Sequence, residues 1–154
     1  MFKPNTSSRS SKRNPKYFKG YYWEKEAVKL FYSKYRDWII YYVKSPYGYP
    51  FDYIFFTKDS TYPIWLLEVK YRHDTNVITI PASKLRKLRE YLSKWEKIKF
   101  RYFIMAMYQS KYNYIIKDCT NEINNKKIRI EVPINTSHPS DENEKIYKHR
   151  RFMK

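Results

Sequence analysis

The feature that most constrains the fold of this chain is a series of three short apolar segments in close succession. They are rich in aromatic and β-branched residues, which favour strands, and they span residues 38–43, 51–57 and 64–71. Turn-forming sequences separate them, Ser45-Pro46-Tyr47-Gly48 after the first segment and Lys58-Asp59-Ser60-Thr61 after the second. The series predicts three strands that form a meander.

Amphipathic segments before and after the meander predict two helices. From residue 21 to about residue 35, apolar residues recur at helical spacing and form one face, made of Ala27, Val28, Phe31 and Tyr35. A second helix is expected to open at Thr79 and Pro81, because Thr can cap a helix and Pro fits its first turn. Its apolar stripe consists of Leu85, Leu88, Leu92 and Trp95.

Further strands are predicted at residues 102–108, 112–117 and 128–132. A chain of 154 residues, 42% of them hydrophobic, suits one core. The elements together predict an α/β fold with a central mixed β-sheet flanked by helices.

The two ends of the chain differ in composition from this central part. Residues 1–19 carry six basic residues and no acid, and we expect them to form a disordered basic arm. After Pro133 the chain becomes polar and then basic. The predicted organisation is therefore the arm, a folded domain at residues 20–133, and a C-terminal extension at residues 134–154.

Several classes of protein are excluded by composition. The longest purely apolar run has seven residues, 102–108, and is far shorter than the roughly 20 needed to span a bilayer. The N-terminal residues lack the apolar stretch of a secretory signal, and Cys119 is the only cysteine, so no intrachain disulfide is expected. These features predict an intracellular, cytoplasmic protein. The low glycine count and the abundance of Lys, Ile and Tyr are typical of an AT-rich genome, archaeal or viral.

The charge of the chain indicates its partner. Lys and Arg number 32 against 15 Asp and Glu, which gives a net charge of +17 and a field that concentrates polyanions. Nucleic acid is therefore the expected partner. The basic run at residues 81–101 is either a solvated helix face or a surface that contacts phosphates. The DNA-binding candidates are Lys19, Lys84, Arg86, Lys87 and Arg89.

The strongest local signal is a charged pair in the third apolar segment. Side chains alternate across a strand, so Glu68 and Lys70 point to the same side as Leu66. A carboxylate buried alone would tend to be protonated, and Glu68 therefore needs Lys70, a metal ion or solvent in a cleft. The pair is either a strand-end ion pair or part of a functional site.

Two further acids favour a functional site. Asp52 lies near the start of the second segment, and antiparallel pairing with the third would place it beside Glu68. Two carboxylates within a few Å repel each other unless a cation joins them, and Mg²⁺ requires oxygen ligands. Glu24 lies on the apolar side of the first helix. It is either a third acid of the site or a first-turn acid stabilised by the helix dipole, and Glu26 could be that first-turn acid equally well.

These residues belong to an ordered set of motifs: Lys19-Gly20-Tyr21-Tyr22-Trp23-Glu24 followed by Ala27-Val28 and Leu30, then Ser45-Pro46-Tyr47-Gly48, Pro50-Phe51-Asp52 and Leu67-Glu68-Val69-Lys70. In order and spacing the set resembles the PD-(D/E)XK nuclease superfamily, and within it most closely the archaeal Holliday junction resolvases. The resemblance runs from about residue 19 to residue 108. It implies a restriction-endonuclease-like core and a homodimer.

The resemblance also implies roles for individual residues. Asp52, Glu68 and the backbone carbonyl of Val69 would hold Mg²⁺, for which Mn²⁺ can substitute, and Glu24 would hold an outer-sphere water or a second ion. Lys70 would be the catalytic lysine, and Ser45 would contact the scissile phosphate. The expected products carry 5′-phosphate and 3′-hydroxyl ends.

The predicted function is that of a Mg²⁺-dependent DNA endonuclease, a hydrolase that resolves Holliday junctions or other branched DNA. Two alternatives stay open. One is a repair or end-processing nuclease of the same fold without junction preference. The other is a noncatalytic nucleic-acid-binding protein, in which charge and tyrosines bind the ligand and the acids are structural.

Overall fold

The computed structural model describes residues 15–135, with side chains from residue 22 onward. The elements of this part of the chain are α1 (Pro15–Lys34), β1 (Ile39–Lys44), β2 (Tyr53–Thr57), β3 (Ile64–Arg72), β4 (Val77–Ile80), α2 (Ala82–Leu92), β5 (Phe100–Tyr108), β6 (Ser110–Asp118), a 3-10 helix (Thr120–Glu122) and β7 (Ile128–Glu131). Neither helix in this part is long and apolar enough to cross a membrane.

Five strands form the central sheet, in the order β1-β2-β3-β5-β6. The first three are the predicted antiparallel meander. β5 lies parallel to β3, and β6 returns antiparallel to β5. A parallel pair needs a crossover connection, which β4 and α2 supply. β4 and β7 pair with each other in a separate antiparallel ribbon. The sheet is therefore mixed, as predicted.

Helices cover both faces of the sheet because the side chains of β3 alternate between them. On one face, α1 packs through Phe31 in a cluster that contains Trp65 and Leu67. On the other face, α2 packs through Leu88 in a cluster that contains Leu66, and the β4–β7 ribbon joins this second core. The prediction of an α/β fold with a mixed sheet flanked by helices is confirmed.

The first helix begins earlier than the sequence pattern predicted. It starts at Pro15 and so includes residues 15–19, which the sequence pattern assigned to the basic arm. Proline is favoured at the first position of a helix, which accounts for this boundary. The rest of the arm, residues 1–14, and the C-terminal extension from residue 136 lie outside the described residues.

The start of the second helix also differs from the prediction. Thr79 lies within β4, a strand that was not predicted, and does not cap α2. β4 has only four residues and pairs with a strand far along the chain, so local periodicity could not reveal it. α2 starts after Pro81 and ends at Leu92. Trp95 therefore lies beyond the helix, although it packs on the same core.

Candidate active site

Asp52 lies where the pairing of β2 with β3 ends. The last pair of that ladder joins Tyr53 to Leu67, and the Asp52 N–H still donates to the Leu67 carbonyl at 2.9 Å. Further along β3, β2 no longer offers a backbone carbonyl to the Val69 N–H. The Asp52 side chain accepts this hydrogen bond instead, through Oδ2 at 2.8 Å. The carboxylate is thereby held against the free edge of β3, where the hairpin register predicted it.

Glu68 lies on β3 next to this edge and is buried, with 3% of its surface exposed. Its Oε2 is 3.3 Å from Lys70 Nζ and 3.3 Å from Lys84 Nζ, so one carboxylate oxygen contacts two ammonium groups. Its Oε1 is buried without a hydrogen-bond partner in the part of the chain that the structure describes. Because an unsatisfied buried carboxylate oxygen is destabilising, this atom marks a place for a further ligand.

Lys84, a predicted DNA-binding residue, also contacts this site. It projects from the first turn of α2, and 27% of its side chain is exposed. A sequence signal was available, because Lys84 lies four residues before the fully buried Leu88 and so shares its side of the helix. A lysine on the buried side of a helix needs an acid nearby, and here that acid is Glu68.

The pKa of the Asp52 carboxyl is raised from 3.8 to about 7. Burial is the main cause, followed by repulsion from Glu68, and the charge of Glu24 adds to it. The hydrogen bond from the Val69 N–H and the attraction of Lys84 act in the opposite direction. Asp52 and Glu68 therefore form a pair of partly desolvated, mutually repelling carboxylates, and a cation between them would relieve the repulsion.

Glu24 is held apart from this pair. It forms an ion pair with Lys44, and the Tyr53 hydroxyl donates to its Oε1 at 3.4 Å. Its helix, α1, packs on the face of the sheet opposite to the one that carries Glu68. Within residues 15–135 no three His, Cys, Asp or Glu side chains are close enough to hold a metal ion together. Glu24 raises the pKa of Asp52 through its charge, and its role as the holder of an outer-sphere water or a second ion stays a prediction.

Ser45 directly follows β1 and lies beside the backbone of Asp52. Its N–H donates to the Asp52 carbonyl at 2.8 Å, which closes the loop of residues 46–51. Its Oγ is buried and has no hydrogen-bond partner among the residues described. The structure thus brings Ser45 next to Asp52 and leaves its hydroxyl without a partner among the residues described.

The donor set of the site consists of oxygen atoms. The N–H and C=O of a strand residue point to the same side, so the Val69 carbonyl faces the edge on which its N–H meets Asp52. Together with Glu68 Oε1 and the Asp52 carboxylate, this carbonyl offers ligands of the kind that Mg²⁺ prefers, and Mg²⁺ is commonly bound by one or two carboxylates. Mn²⁺ accepts the same ligands. The residues present fit a divalent metal ion.

Tyr102 is a neighbour of the site that the sequence analysis missed. It pairs with Leu66 in the parallel register of β5 with β3, and it is fully buried. Its hydroxyl makes no hydrogen bond to any residue that the structure describes. Burial raises the pKa of this hydroxyl, and the charge of Glu68 raises it further, so the group remains protonated beside the acids.

The remaining basic candidates lie in different surroundings. Arg86 and Lys87 are exposed on α2, as a DNA-binding role requires. Arg89 donates from Nη1 to the Ile123 carbonyl at 2.8 Å and so holds the segment that follows the 3-10 helix. This hydrogen bond gives Arg89 a structural contact, and its DNA-binding role stays a prediction. Lys19 lies in α1, where its side chain is outside the described part.

Comparison with known proteins gives a match in structure alone. No family model matches the chain, and no curated protein matches it in sequence. Among solved structures, the chain is similar to Hjc of Archaeoglobus fulgidus, a Holliday junction resolvase from an archaeal hyperthermophile. The identity is 12%, the TM-score is 0.45, and the match covers 68% of this chain and 86% of that one.

Proposed function

We propose that the protein is a Mg²⁺-dependent endodeoxyribonuclease of the PD-(D/E)XK type that resolves branched DNA. The observation that carries the proposal is the pair of Asp52 and Glu68 at the edge of β3, two repelling carboxylates of which one keeps a buried, unpartnered oxygen. A buried charge cluster of this kind is rarely needed for stability, since apolar replacements are often neutral or stabilising. A functional explanation is therefore favoured.

Each group of the cluster can serve phosphodiester hydrolysis. Asp52, Glu68 and the Val69 carbonyl would hold the metal ion. When bound, Mg²⁺ supplies a Lewis acid that polarises a phosphate oxygen and acidifies a water molecule. Lys70 has 35% of its side chain exposed, so its ammonium contacts both Glu68 and the solvent side, where it would orient the attacking water. Lys84 would favour the ionised form of Asp52, because its charge lowers the pKa of that carboxyl.

The surroundings of the cluster suit a DNA substrate. The Ser45 hydroxyl, beside Asp52, would contact the scissile phosphate. Arg86 and Lys87 are exposed on the helix that carries Lys84, so the same element would link the site to phosphates further along the DNA. Attack of water on phosphorus would leave 5′-phosphate and 3′-hydroxyl ends. A nuclease that resolves branched DNA would act inside the cell, where such DNA forms.

We also propose that two copies act together, because resolution of a junction requires cuts in two strands. β1 is an edge strand of the sheet, and its side chains are exposed at every position after Ile39. These include Ile40, Tyr41 and Val43. An exposed apolar edge strand tends to pair with another chain, and antiparallel pairing of two β1 strands would cover it. Light scattering should show a dimer that Tyr41→Lys dissociates; a monomeric wild-type protein would contradict the proposal.

The decisive experiment compares a four-way junction with a linear duplex of the same sequence. Wild-type protein should cut the junction near its branch point, with symmetry-related nicks, in Mg²⁺ or Mn²⁺ but not in EDTA. Asp52→Asn and Glu68→Gln should abolish cleavage and keep DNA binding, because each removes a negative charge near phosphate. Normal cleavage by Glu68→Gln would refute the site. Equal affinity for both DNAs with scattered cuts would instead indicate a repair or end-processing nuclease without junction preference.

A noncatalytic nucleic-acid-binding protein is the second candidate. The observation that favours it is the double contact of Glu68 with Lys70 and Lys84, which neutralises the carboxylate without a metal ion. On this alternative the wild-type protein binds DNA in a salt-dependent manner but cuts neither substrate with Mg²⁺ or Mn²⁺. The same cleavage experiment therefore separates the two candidates.

A further inference from the structure

Tyr47 is the most exposed large apolar side chain in the described part of the chain, with its full surface accessible. It lies in the loop of residues 46–51, between Ser45 and Asp52. Its ring contacts no other aromatic ring and its hydroxyl no polar group of the described residues. A single exposed apolar residue is ordinary on a protein surface. Exposure of Tyr47 therefore indicates a function only if the loop holds the ring in a defined position.

A tight turn holds Tyr47 outward. The Tyr49 N–H donates to the Pro46 carbonyl at 3.2 Å, which closes a four-residue turn with Tyr47 and Gly48 at its centre. Gly48 has a φ of +93°, whereas Tyr47 has a negative φ, and this combination is typical of a type II turn. A Cβ on Gly48 would meet nothing within 4 Å, so glycine is required there for its backbone conformation and not for space.

The base of the loop is anchored to the protein, although its tip is free. The ring of Tyr49 packs against Phe51 and against Tyr91 of α2, with ring centroids 5.7 Å and 5.0 Å apart. Phe51 is itself buried in the core beneath α2. The hydrogen bond from Ser45 to Asp52 closes the other side of the loop. Tyr47 is therefore presented by a fixed backbone and not by a loose segment.

This presentation places the ring beside the candidate active site. Tyr47 is two positions after Ser45 in the chain, so the Cα atoms of the two residues are at most about 7 Å apart. Ser45 is hydrogen-bonded to Asp52. Successive nucleotides of a strand are about 3.4 Å apart along the helix axis, so the ring lies within a few nucleotide steps of a phosphate bound at Asp52.

We propose that Tyr47 stacks on an exposed nucleobase next to the scissile phosphate and thereby gives the protein its preference for branched over linear DNA. In a continuous duplex each base is covered on both faces by its neighbours, whereas at a branch point a base face is open. An aromatic side chain stacks on any such base without regard to sequence. The inference rests on the proposed function, since it names the part of the DNA that the site recognises.

The test measures DNA binding in EDTA, so that it does not depend on cleavage. The substrates are a four-way junction with 2-aminopurine at the branch point and a linear duplex of matched length. Tyr47→Ala should bind the junction about 5- to 100-fold more weakly and the duplex with unchanged affinity, because it loses one base stack. Tyr47→Phe keeps the ring and should behave like wild-type protein. Ile98→Ala, at an exposed apolar residue near the opposite end of the sheet, is the control.

Fluorescence of the 2-aminopurine reports stacking directly. Wild-type protein and Tyr47→Phe should change this fluorescence on binding, and Tyr47→Ala should not. Both Tyr47 variants should keep the melting temperature of the wild-type protein, since the ring packs on nothing. The inference is overturned if Tyr47→Ala binds the junction normally, or loses affinity equally for both DNAs. If wild-type protein shows the fluorescence change but cuts no DNA in Mg²⁺ or Mn²⁺, the base contact stands and the nuclease proposal fails. If junctions are cut and Tyr47→Ala matches wild-type protein in binding, the nuclease proposal stands and the base contact is refuted.

Discussion

Replacement of Asp52 by Asn should stabilise the fold at neutral pH while it removes cleavage. The Asp52 carboxyl has a pKa of about 7 in the folded protein, against an ordinary value of 3.8. Between these values the folded state keeps a proton that the unfolded state has released, so the free energy of unfolding falls as the pH rises. The stabilisation from the protonated carboxyl is complete below pH 3.8 and is lost by about pH 7. Asn resembles the protonated carboxyl and does not titrate.

The size of the effect follows from the pKa shift. One pKa unit corresponds to about 1.4 kcal/mol, so the rise from 3.8 to about 7 corresponds to about 4 kcal/mol over the whole range. About 2 to 3 kcal/mol of this falls between pH 5 and pH 8. Screening by water and salt at a partly accessible site reduces the expected difference between variant and wild type to about 1 to 2 kcal/mol.

The assay is urea unfolding of both proteins in EDTA at several pH values from 5 to 8, with circular dichroism as the readout. The stability advantage of Asp52→Asn over wild type should grow with pH. Asp37→Asn, at an exposed acid, is the matched control and should show no such growth. An advantage that is the same at pH 5 and pH 8, or a variant less stable than wild type at pH 8, would refute the reasoning. Added Mg²⁺ should stabilise wild type more than Asp52→Asn, because the metal binds the ionised pair.

Four other substitutions test neighbouring parts of the site and its surface. Lys70→Arg should keep the melting temperature but severely lower the cleavage rate, because a planar guanidinium does not replace a compact ammonium that orients water; wild-type turnover would indicate a structural ion pair. Lys84→Met should move the acid limb of the pH–rate profile to higher pH, since Lys84 lowers the pKa of Asp52, and an unchanged profile would argue against this contact. Arg86→Ala should weaken DNA binding and reduce the slope of log binding constant against log salt concentration by about one, which a salt titration measures. Arg89→Ala should leave this slope unchanged. It should lower the free energy of unfolding by about 1 to 3 kcal/mol, which urea unfolding measures.

The sequence alone determined the parts of the site that depend on local geometry. Alternation along a strand places Glu68 and Lys70 on one side of β3 whatever the rest of the fold does. A short hairpin sets the register of β2 against β3, and this register brings Asp52 to the edge where its carboxylate accepts the Val69 N–H. The meander and both helices were predictable for the same reason, since their patterns repeat within a few residues.

Only the tertiary structure decided which distant groups meet this pair. Lys84 contacts Glu68 because the crossover from β3 to β5 brings the first turn of α2 beside β3. Glu24 pairs with Lys44 because α1 packs on the opposite face of the sheet. Arg89 turns toward the segment after the 3-10 helix. Each outcome depends on the sheet face that a helix covers and on its rotation against that face, which are set by packing between segments far apart in the chain and not by any local period.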